Sequence, residues 1–484
     1  MSEGRAVNRA GLTSPQTRIA TPALEERELA HAAPPEARPL ADTPPGVPGC
    51  PVGAAPTAAA PTGLPGPDPG VATRLSRLLQ TLAARNQFYR DAWRAAGLDL
   101  LAVPGLSLDQ LPFTTKAELV RDQLAHPPFG RNHTFPLATY TRVHQTSGTT
   151  GRPLRVLDTA ASWRWWGRCW TAVYRGAEVS RRDRVFLAFS FGPFIGFWAA
   201  LEGAAQLGAM TITGGGMDSV LRLQAMADFG ATVLVATPSY ALHLARVARA
   251  EGIDPHSLGI RTTIHAGEPG ASVPAVRARI EELWGARCHD HAGASEIGAW
   301  GYSCREGTGL HVIATEFIAE VIDPATAAPV ADGTLGELVL TNLGRPGFPA
   351  VRYRTGDMVR RVWQRCPCGR EGPLLAGGVL GRADDMLVVR GMNIFPSAID
   401  ALVREHRQIG EYEVRVWTRG DLDQLTIRAE LDSDDPAGVA EELMAHCHHR
   451  LGMRVGFEAL PPGTLPPTEL KARRIRDERA AAPG

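Results

Sequence analysis

Val185-Phe-Leu-Ala-Phe-Ser-Phe191, then Gly192-Pro193, then Phe194-Ile-Gly-Phe-Trp-Ala-Ala-Leu201 is the stretch on which the fold turns. It carries no charge and approaches the length that spans a bilayer, but Gly192, Pro193 and Gly196 interrupt it. A buried strand, a turn and the start of an apolar helix account for it better. Downstream the same alternation recurs. AMTIT precedes a helix near 218–229, TVLVATP one near 239–251, and TTIHAGE one near 273–284, with a short strand near 287–291 after that. Apolar strands alternating with helices predict α/β layers with largely parallel sheets.

After about residue 310 the texture changes. FIAEVIDP, GELVLTN and MVRRVW read as antiparallel strands, a β-rich subdomain over about 310–380. The last hundred residues mix strands near 412–418 and 424–431 with a helix near 437–450. Upstream, 73–97 reads as a helix with Leu75, Leu78, Leu79 and Leu82 on one face. Residues 1–72 are dominated late by Ala, Pro and Gly, and are expected to be a disordered leader in which Cys50 is incidental. The expected fold class is therefore α/β: a large N-terminal domain over 73–380, a hinge over 381–385 and a small mobile α/β C-terminal domain over 386–484.

The 51 basic and 51 acidic residues cancel, which gives no reason to expect nucleic acid or an anionic membrane as partner. The N-terminus, MSEGRAVNRA, lacks an apolar secretory core, and seven cysteines are an odd count for a disulfide framework. A cytoplasmic protein is expected.

Thr146-Ser-Gly-Thr-Thr-Gly-Arg-Pro153 alternates hydroxyls with glycines between apparent strands. Glycine lets backbone N–H groups approach an anion, and hydroxyls add donors, so the loop suits a nucleotide triphosphate. It is not a Walker A loop, because GxxxxGK[ST] is absent. A plain Ser/Thr/Gly hairpin turn is the alternative reading of these residues.

TSGTTGRP resembles the phosphate loop of the adenylate-forming superfamily, which holds acyl-CoA synthetases, luciferases and peptide-synthetase adenylation domains. Further loops follow in that family's order: His291-Ala-Gly-Ala-Ser-Glu296, Tyr353-Arg-Thr-Gly-Asp357, Gly381-Arg-Ala-Asp-Asp-Met386 with Arg390-Gly391, and Lys471 in PPTELKARR. LPFTTKAEL (111–119), ATPSYAL (236–242), GEP (267–269) and RGMNIFPSAID (390–400) are similar to the phenylacetate-CoA ligase branch. The resemblance covers about 73 to 480.

The resemblance implies roles. Ser147, Gly148, Thr149, Thr150 and Gly151 would hold the β- and γ-phosphates of ATP, with Thr149 among the catalytic residues. Glu296 would bind Mg²⁺, a hard cation that favours carboxylate oxygens. Asp357 would accept hydrogen bonds from the ribose hydroxyls, although a TGD turn by itself more often holds a turn-capping Asp. Gly267, Glu268, Pro269, Asp290, His291 and Ser295 would line the nucleotide, and Arg382 would contact it. Lys471 would bridge carboxylate and α-phosphate, where charge gathers in the transition state. Asp384 would be the hinge, and Arg390 and Gly391 would form the loop admitting a pantetheine thiol. Phe191, Phe194, Ala236, Thr237 and Ala292 would line the acid pocket, whose aromatics favour a flat apolar acid. Trp163, Trp165, Trp166 and Trp170 read as core or interface.

Cys366-Pro-Cys368, with Cys304 and His311 upstream, makes three thiolates and an imidazole, a structural Zn²⁺ set. The C-x-C spacing is tighter than the usual knuckle, and a pair of free thiols in a turn is the competing reading.

The expected function is ATP-dependent activation of a small, aromatic acid as acyl-AMP, then transfer to coenzyme A. A carrier-protein thiol as acceptor, nucleotidyl transfer to a cofactor and a non-catalytic nucleotide-binding role are the rivals. The expected assembly is a homodimer.

Overall fold

The computed structural model describes residues 69–146, 153–268, 270–363, 365–383, 387–390, 392–419, 422–465 and 474–479. Nearly all of the leader with Cys50, the phosphate-loop residues Ser147 to Gly151, Pro269, Asp384, Gly391 and Lys471 lie outside the described residues.

A helix α1 (Pro69–Arg85) begins inside the stretch expected as leader and buries Leu78, Leu79 and Leu82. The helix expected over 73–97 is two helices. Asn86 sits between α1 and α2 (Gln87–Ala95) in extended backbone, and its side chain accepts the N–H of Tyr89. An Asn that caps a new helix start competes with helix continuation, which is why the periodicity runs through a break. The helix α3 (Lys116–Ala125) opens with a capping box between Thr115 and Glu118.

Strands β1 (Tyr140–Gln145) and β2 (Arg155–Thr159) form an antiparallel hairpin whose tip is the glycine-rich loop. Thr146 and Leu154 are joined by two bonds of 3.0 Å, one from Thr146 N–H to the Leu154 carbonyl and one from Leu154 N–H to the Thr146 side-chain hydroxyl. The helix α4 (Ala160–Gly176) follows, capped by Thr159. Its four tryptophans Trp163, Trp165, Trp166 and Trp170 are all buried in the main core. Each buried indole removes roughly 200 Å² from water, on the order of 5 kcal/mol of transfer free energy.

The alternating segment folds as expected. In chain order it runs β3 (Arg184–Leu187), α5 (Ile195–Leu207), β4 (Met210–Thr213), α6 (Ser219–Asp228), β5 (Val233–Ala236), α7 (Pro238–Ala250), β6 (Thr262–His265), α8 (Pro274–Trp284) and β7 (Arg287–Ala294). The parallel strands lie in the order β4-β3-β5-β6-β7. Every residue of β5 and β6 is buried, the composition of strands covered on both faces. No helix among the described residues is long and apolar enough to cross a membrane.

The antiparallel strands begin earlier than residue 310 and belong to the same sheet. They are β8 (Gly298–Tyr302), β9 (Gly309–Val312), β10 (Phe317–Ile322), β11 (Leu335–Asn342), β12 (Tyr353–Trp363), β13 (Pro373–Ala376) and β14 (Gly381–Arg382). The first half of β7 pairs in parallel with β6; its second half, from His291, turns through Ser295–Ile297 and pairs antiparallel with β8. One twelve-stranded sheet results, ending β8-β9-β13-β12-β11-β10, with β14 on β12.

The C-terminal part has its own core. A short hairpin, β15 (Leu387–Val389) and β16 (Met392–Ile394), leads into α9 (Pro396–Glu405), β17 (Ile409–Arg419), β18 (Leu422–Leu431), α10 (Pro436–Leu451), β19 (Gly456–Leu460) and β20 (Ile475–Asp477). The sheet order is β19-β18-β17-β20. Ile399, Leu402, Val403, Val414, Ile427 and Leu443 fill a core separate from that of the large domain. The two domains meet through ion pairs, Arg246 with Glu411 at 3.0 Å and Arg407 with Glu282 at 2.8 Å.

Candidate active site

The parallel strands deliver their carboxyl ends to one edge, the position at which open α/β sheets bind ligands. Ala236 ends β5, His265 ends β6, and Asp290 lies beside His265 on β7. Asp290 is buried and accepts a hydrogen bond from the Ser272 hydroxyl, while its own N–H donates to Ser303 Oγ at 2.8 Å. Burial raises its carboxyl pKa to about 6, against the Ser272 bond that lowers it. Thr237 caps α7, its hydroxyl accepting the N–H of Tyr240. Glu268 accepts the Ser239 N–H at 2.7 Å, so the GEP carboxylate sits on the positive end of α7. Gly267 has φ +94°, a conformation that side-chain-bearing residues rarely adopt.

Glu296 stands in the turn between β7 and β8, buried to 5% exposure. Its Oε1 lies 3.1 Å from Lys116 Nζ, at the first position of α3. The turn is clamped from behind. Arg345, with no exposed surface, donates from Nη1 to the carbonyls of Ser295 at 2.8 Å and Glu296 at 3.3 Å. Its Nε and Nη2 hold both oxygens of Asp158, on β2, at 2.8 and 2.7 Å. Asp158 belongs to the strand leaving the glycine-rich loop, so one arginine ties that hairpin to the Glu296 turn.

Asp357 on β12 and Arg382 on β14 pair directly at 3.1 Å, joined by the strand register. The Asp357 N–H donates to the Thr355 hydroxyl at 3.0 Å. Tyr353, first residue of the same motif, is buried; burial chiefly, then the Glu296 charge, holds its hydroxyl well above the ordinary range. The charges of Arg382 and Asp357 act on it too.

The remaining expected residues fall in several places. Phe191 and Phe194 lie in the connection after β3, Phe191 edge-on to Trp198 at 4.8 Å. Ala292 is half-buried on β7. His291 points into the core: its ring packs on Trp170 at 4.3 Å and its Nδ1 bonds the Gly301 carbonyl at 2.7 Å. Burial pushes its pKa down to about 4, so the ring is neutral at pH 7. Arg390 is exposed and fastened to the start of β18, donating to the Asp423 carbonyl at 2.7 Å.

Cys304, His311, Cys366 and Cys368 come together. Their four ligand atoms all lie within 4.8 Å of one another. The Cys304–Cys366 sulfurs are 3.7 Å apart and Cys368 Sγ is 3.6 Å from His311 Nε2. A tetrahedral zinc with Zn–S near 2.3 Å requires ligand edges of about 3.7 Å, which these separations match. Arg370 donates to Cys368 Sγ at 3.4 Å, a cation placed to favour thiolate.

Sequence reading assigns no role to Lys116, Arg345, Asp158 or Tyr353. LPFTTKAEL and YRTGD contain two of them, yet serve there as likeness or for Asp357 alone.

The profile of the AMP-binding enzymes matches residues 116–344, and that of the AMP-binding enzyme C-terminal domain matches 391–479. Phenylacetate-coenzyme A ligase of Pseudomonas putida is 34% identical over 409 residues, 81% of this chain and 90% of the relative. Its counterpart from Thermus thermophilus is 31% identical over 431 residues, 84% and 95% of the two chains. Among solved structures, 2-hydroxyisobutyryl-CoA ligase in the postadenylation state gives a TM-score of 0.79 at 32% identity, covering 84% of this chain and 89% of the other. The same enzyme in its thioesterification state gives 0.63. The chain belongs to the phenylacetate-coenzyme A ligase family of AMP-binding enzymes, the AMP-forming acid–CoA ligases.

Proposed function

We propose that the chain activates phenylacetate or a closely similar aromatic acid. The carboxylate attacks the α-phosphorus of ATP, releasing pyrophosphate and leaving acyl-AMP. The thiol of coenzyme A then attacks the acyl carbonyl and AMP leaves. The observation that carries this reading is the buried Arg345, which ties the turn presenting Glu296 to Asp158 on the strand flanking the phosphate loop.

Because the reactants are anions, the chain's task is positioning and charge neutralisation. Ser147, Gly148, Thr149, Thr150 and Gly151 cradle the β- and γ-phosphates with backbone N–H groups and hydroxyls. Asp357 accepts from the ribose hydroxyls and Arg382 orients it. Gly267, Glu268, Pro269, Asp290 and Ser295 shape the adenine side, with His291 contributing backbone only, since its ring packs on Trp170. Glu296 offers hard carboxylate oxygens in a nearly dry turn, a donor set that fits Mg²⁺, which would supply charge neutralisation to the phosphates. Lys471 meets the charge at the α-phosphate. Phe191, Phe194, Ala236, Thr237 and Ala292 enclose the acid, and none of them carries a charge to match a substrate amino group. Residues 386–484 turn about Asp384 between half-reactions, bringing Arg390 and Gly391 to the thiol.

A short branched hydroxy acid is the second reading, favoured by the 32% identity to 2-hydroxyisobutyryl-CoA ligase. Pyrophosphate release across aryl, hydroxyaryl and short aliphatic acids, with and without coenzyme A, separates the two. Turnover requiring an aryl acid and coenzyme A is expected. Turnover confined to short hydroxy acids, or indifferent to coenzyme A, would overturn the first reading.

We also assign a structural Zn²⁺ to Cys304, His311, Cys366 and Cys368, supported by the ligand spacing. Four protein ligands leave no open coordination position. Purified protein should carry one zinc per chain by elemental analysis, and Cys366→Ser should lose it. At a hundredfold excess of free zinc over its dissociation constant the metal stabilises the fold by about 2.7 kcal/mol. A zinc-free protein with unchanged unfolding would refute the assignment. A cytoplasmic location is the accompanying reading, in keeping with reduced Cys169, Cys288 and Cys447 beside the three cysteines assigned to zinc.

A further inference from the structure

The chain contains two lysines, Lys116 and Lys471, against 49 arginines. Every other basic Lys/Arg position in the chain is arginine. The two exceptions are therefore the positions at which an ammonium's distinct chemistry is to be sought. Lys471 occupies the family's late-lysine position. Lys116 lies 3.1 Å from the buried carboxylate of Glu296.

Lys116 also opposes its local setting. It is the first residue of α3, where the helix dipole is positive and a cation costs on the order of 0.3–1 kcal/mol. Its backbone is nonetheless fixed with care. Thr114 pairs with the strand of Tyr353, its N–H donating to the Arg352 carbonyl at 3.0 Å and its carbonyl accepting from Arg354 at 2.9 Å. Thr115 is locked by the Glu118 carboxylate at 2.7 and 2.8 Å. The ammonium is thus delivered to Glu296 from a rigid base shared with the Tyr353–Asp357 strand. Its side chain keeps 44% exposure while Glu296 keeps 6%, so the ammonium sits at the mouth of the turn and the carboxylate at its floor.

We propose that Lys116 is the second lysine of the adenylating site, a triphosphate-binding residue. With the site empty, its ammonium neutralises Glu296. With Mg·ATP bound, Glu296 is engaged by the metal and the ammonium transfers its hydrogen bonds to the β- and γ-phosphate oxygens. An ammonium is a compact charge with three freely turning donors, able to change partners by rotation of its stem. A planar guanidinium would chelate the carboxylate with two parallel bonds and compete with the metal for it.

This inference rests on the ligase reading, and the test separates the two. Calorimetric titration of wild type, Lys116→Arg and Lys116→Gln with Mg·ATP and with AMP is the measurement. Both variants should bind Mg·ATP about tenfold or more weakly, as expected for a lost charge-assisted contact. Both should bind AMP, which lacks the β- and γ-phosphates, within twofold of wild type, and Lys116→Arg, which keeps the charge beside Glu296, should keep the wild-type melting temperature. Wild-type Mg·ATP affinity in Lys116→Arg would overturn the proposal, as would equal losses for AMP and Mg·ATP. A wild-type protein that binds no Mg·ATP would sink the ligase reading, and this proposal with it.

Discussion

Lys471→Ala is expected to lower acid-dependent ATP–pyrophosphate exchange by roughly a hundred- to a thousandfold, the loss typical of one donor aimed at developing transition-state charge. The conversion of synthetic acyl-AMP to acyl-CoA should stay close to wild type. The asymmetry follows from where charge develops. In adenylation a carboxylate and a polyphosphate approach each other, and negative charge accumulates on the non-bridging oxygens of the α-phosphorus. In thioester formation that bond is already made, and the acyl carbonyl is the electrophile. The described residues on either side of Lys471 are tied to the small domain. Leu465 N–H donates to the Glu430 carboxylate at 2.6 Å, and Arg474 lies 3.3 Å from Glu411. Equal loss of both half-reactions would remove Lys471 from its assigned role.

The parallel half of the sheet was legible because its strands are short segments alternating with helical patterns, led by the apolar runs of β3 and β5, a local signal. The antiparallel half was legible as strands but not as part of the same sheet. Its attachment depends on β7 changing partners midway, at His291, and nothing in CHDHAGA announces that change. The break at Asn86 was hidden because apolar spacing persists across it while a buried side chain ends one helix and starts the next. For the site, motifs identified residue types and order. Pairings across long separations were out of reach: Arg345 with Asp158 at 187 positions, and Lys116 with Glu296 on different elements. Residue counting, rather than spacing, is the signal that singles out Lys116. The Cys/His group was legible from ligand types alone; its closure comes from β9 pairing with β8 and β13, which carries His311 toward the cysteines.

Arg345→Met is expected to destabilise the folded protein by about 3–5 kcal/mol, the cost of stranding a charge when one partner of a buried pair is removed. Both side chains have zero exposure, so no water can replace the lost guanidinium around Asp158. The guanidinium lies 5.3 Å from the rings of Trp166 and Phe348, and a methionine fills that apolar space, so cavity formation is a minor part of the effect. Arg345→Met combined with Asp158→Leu removes both charges and should recover much of the loss, because paired replacement of buried ions is often nearly neutral. Catalysis should not recover with it. The double variant still lacks the donor that fixes the Ser295 and Glu296 carbonyls, and the turn presenting Glu296 would be held only by its strands. Denaturant unfolding and pyrophosphate exchange on the two variants therefore separate the two jobs of one arginine. A double variant with stability and exchange both restored would show that the clamp on Glu296 is dispensable. A single variant losing less than about 1 kcal/mol would show that the pair is not the buried linchpin its burial and geometry indicate.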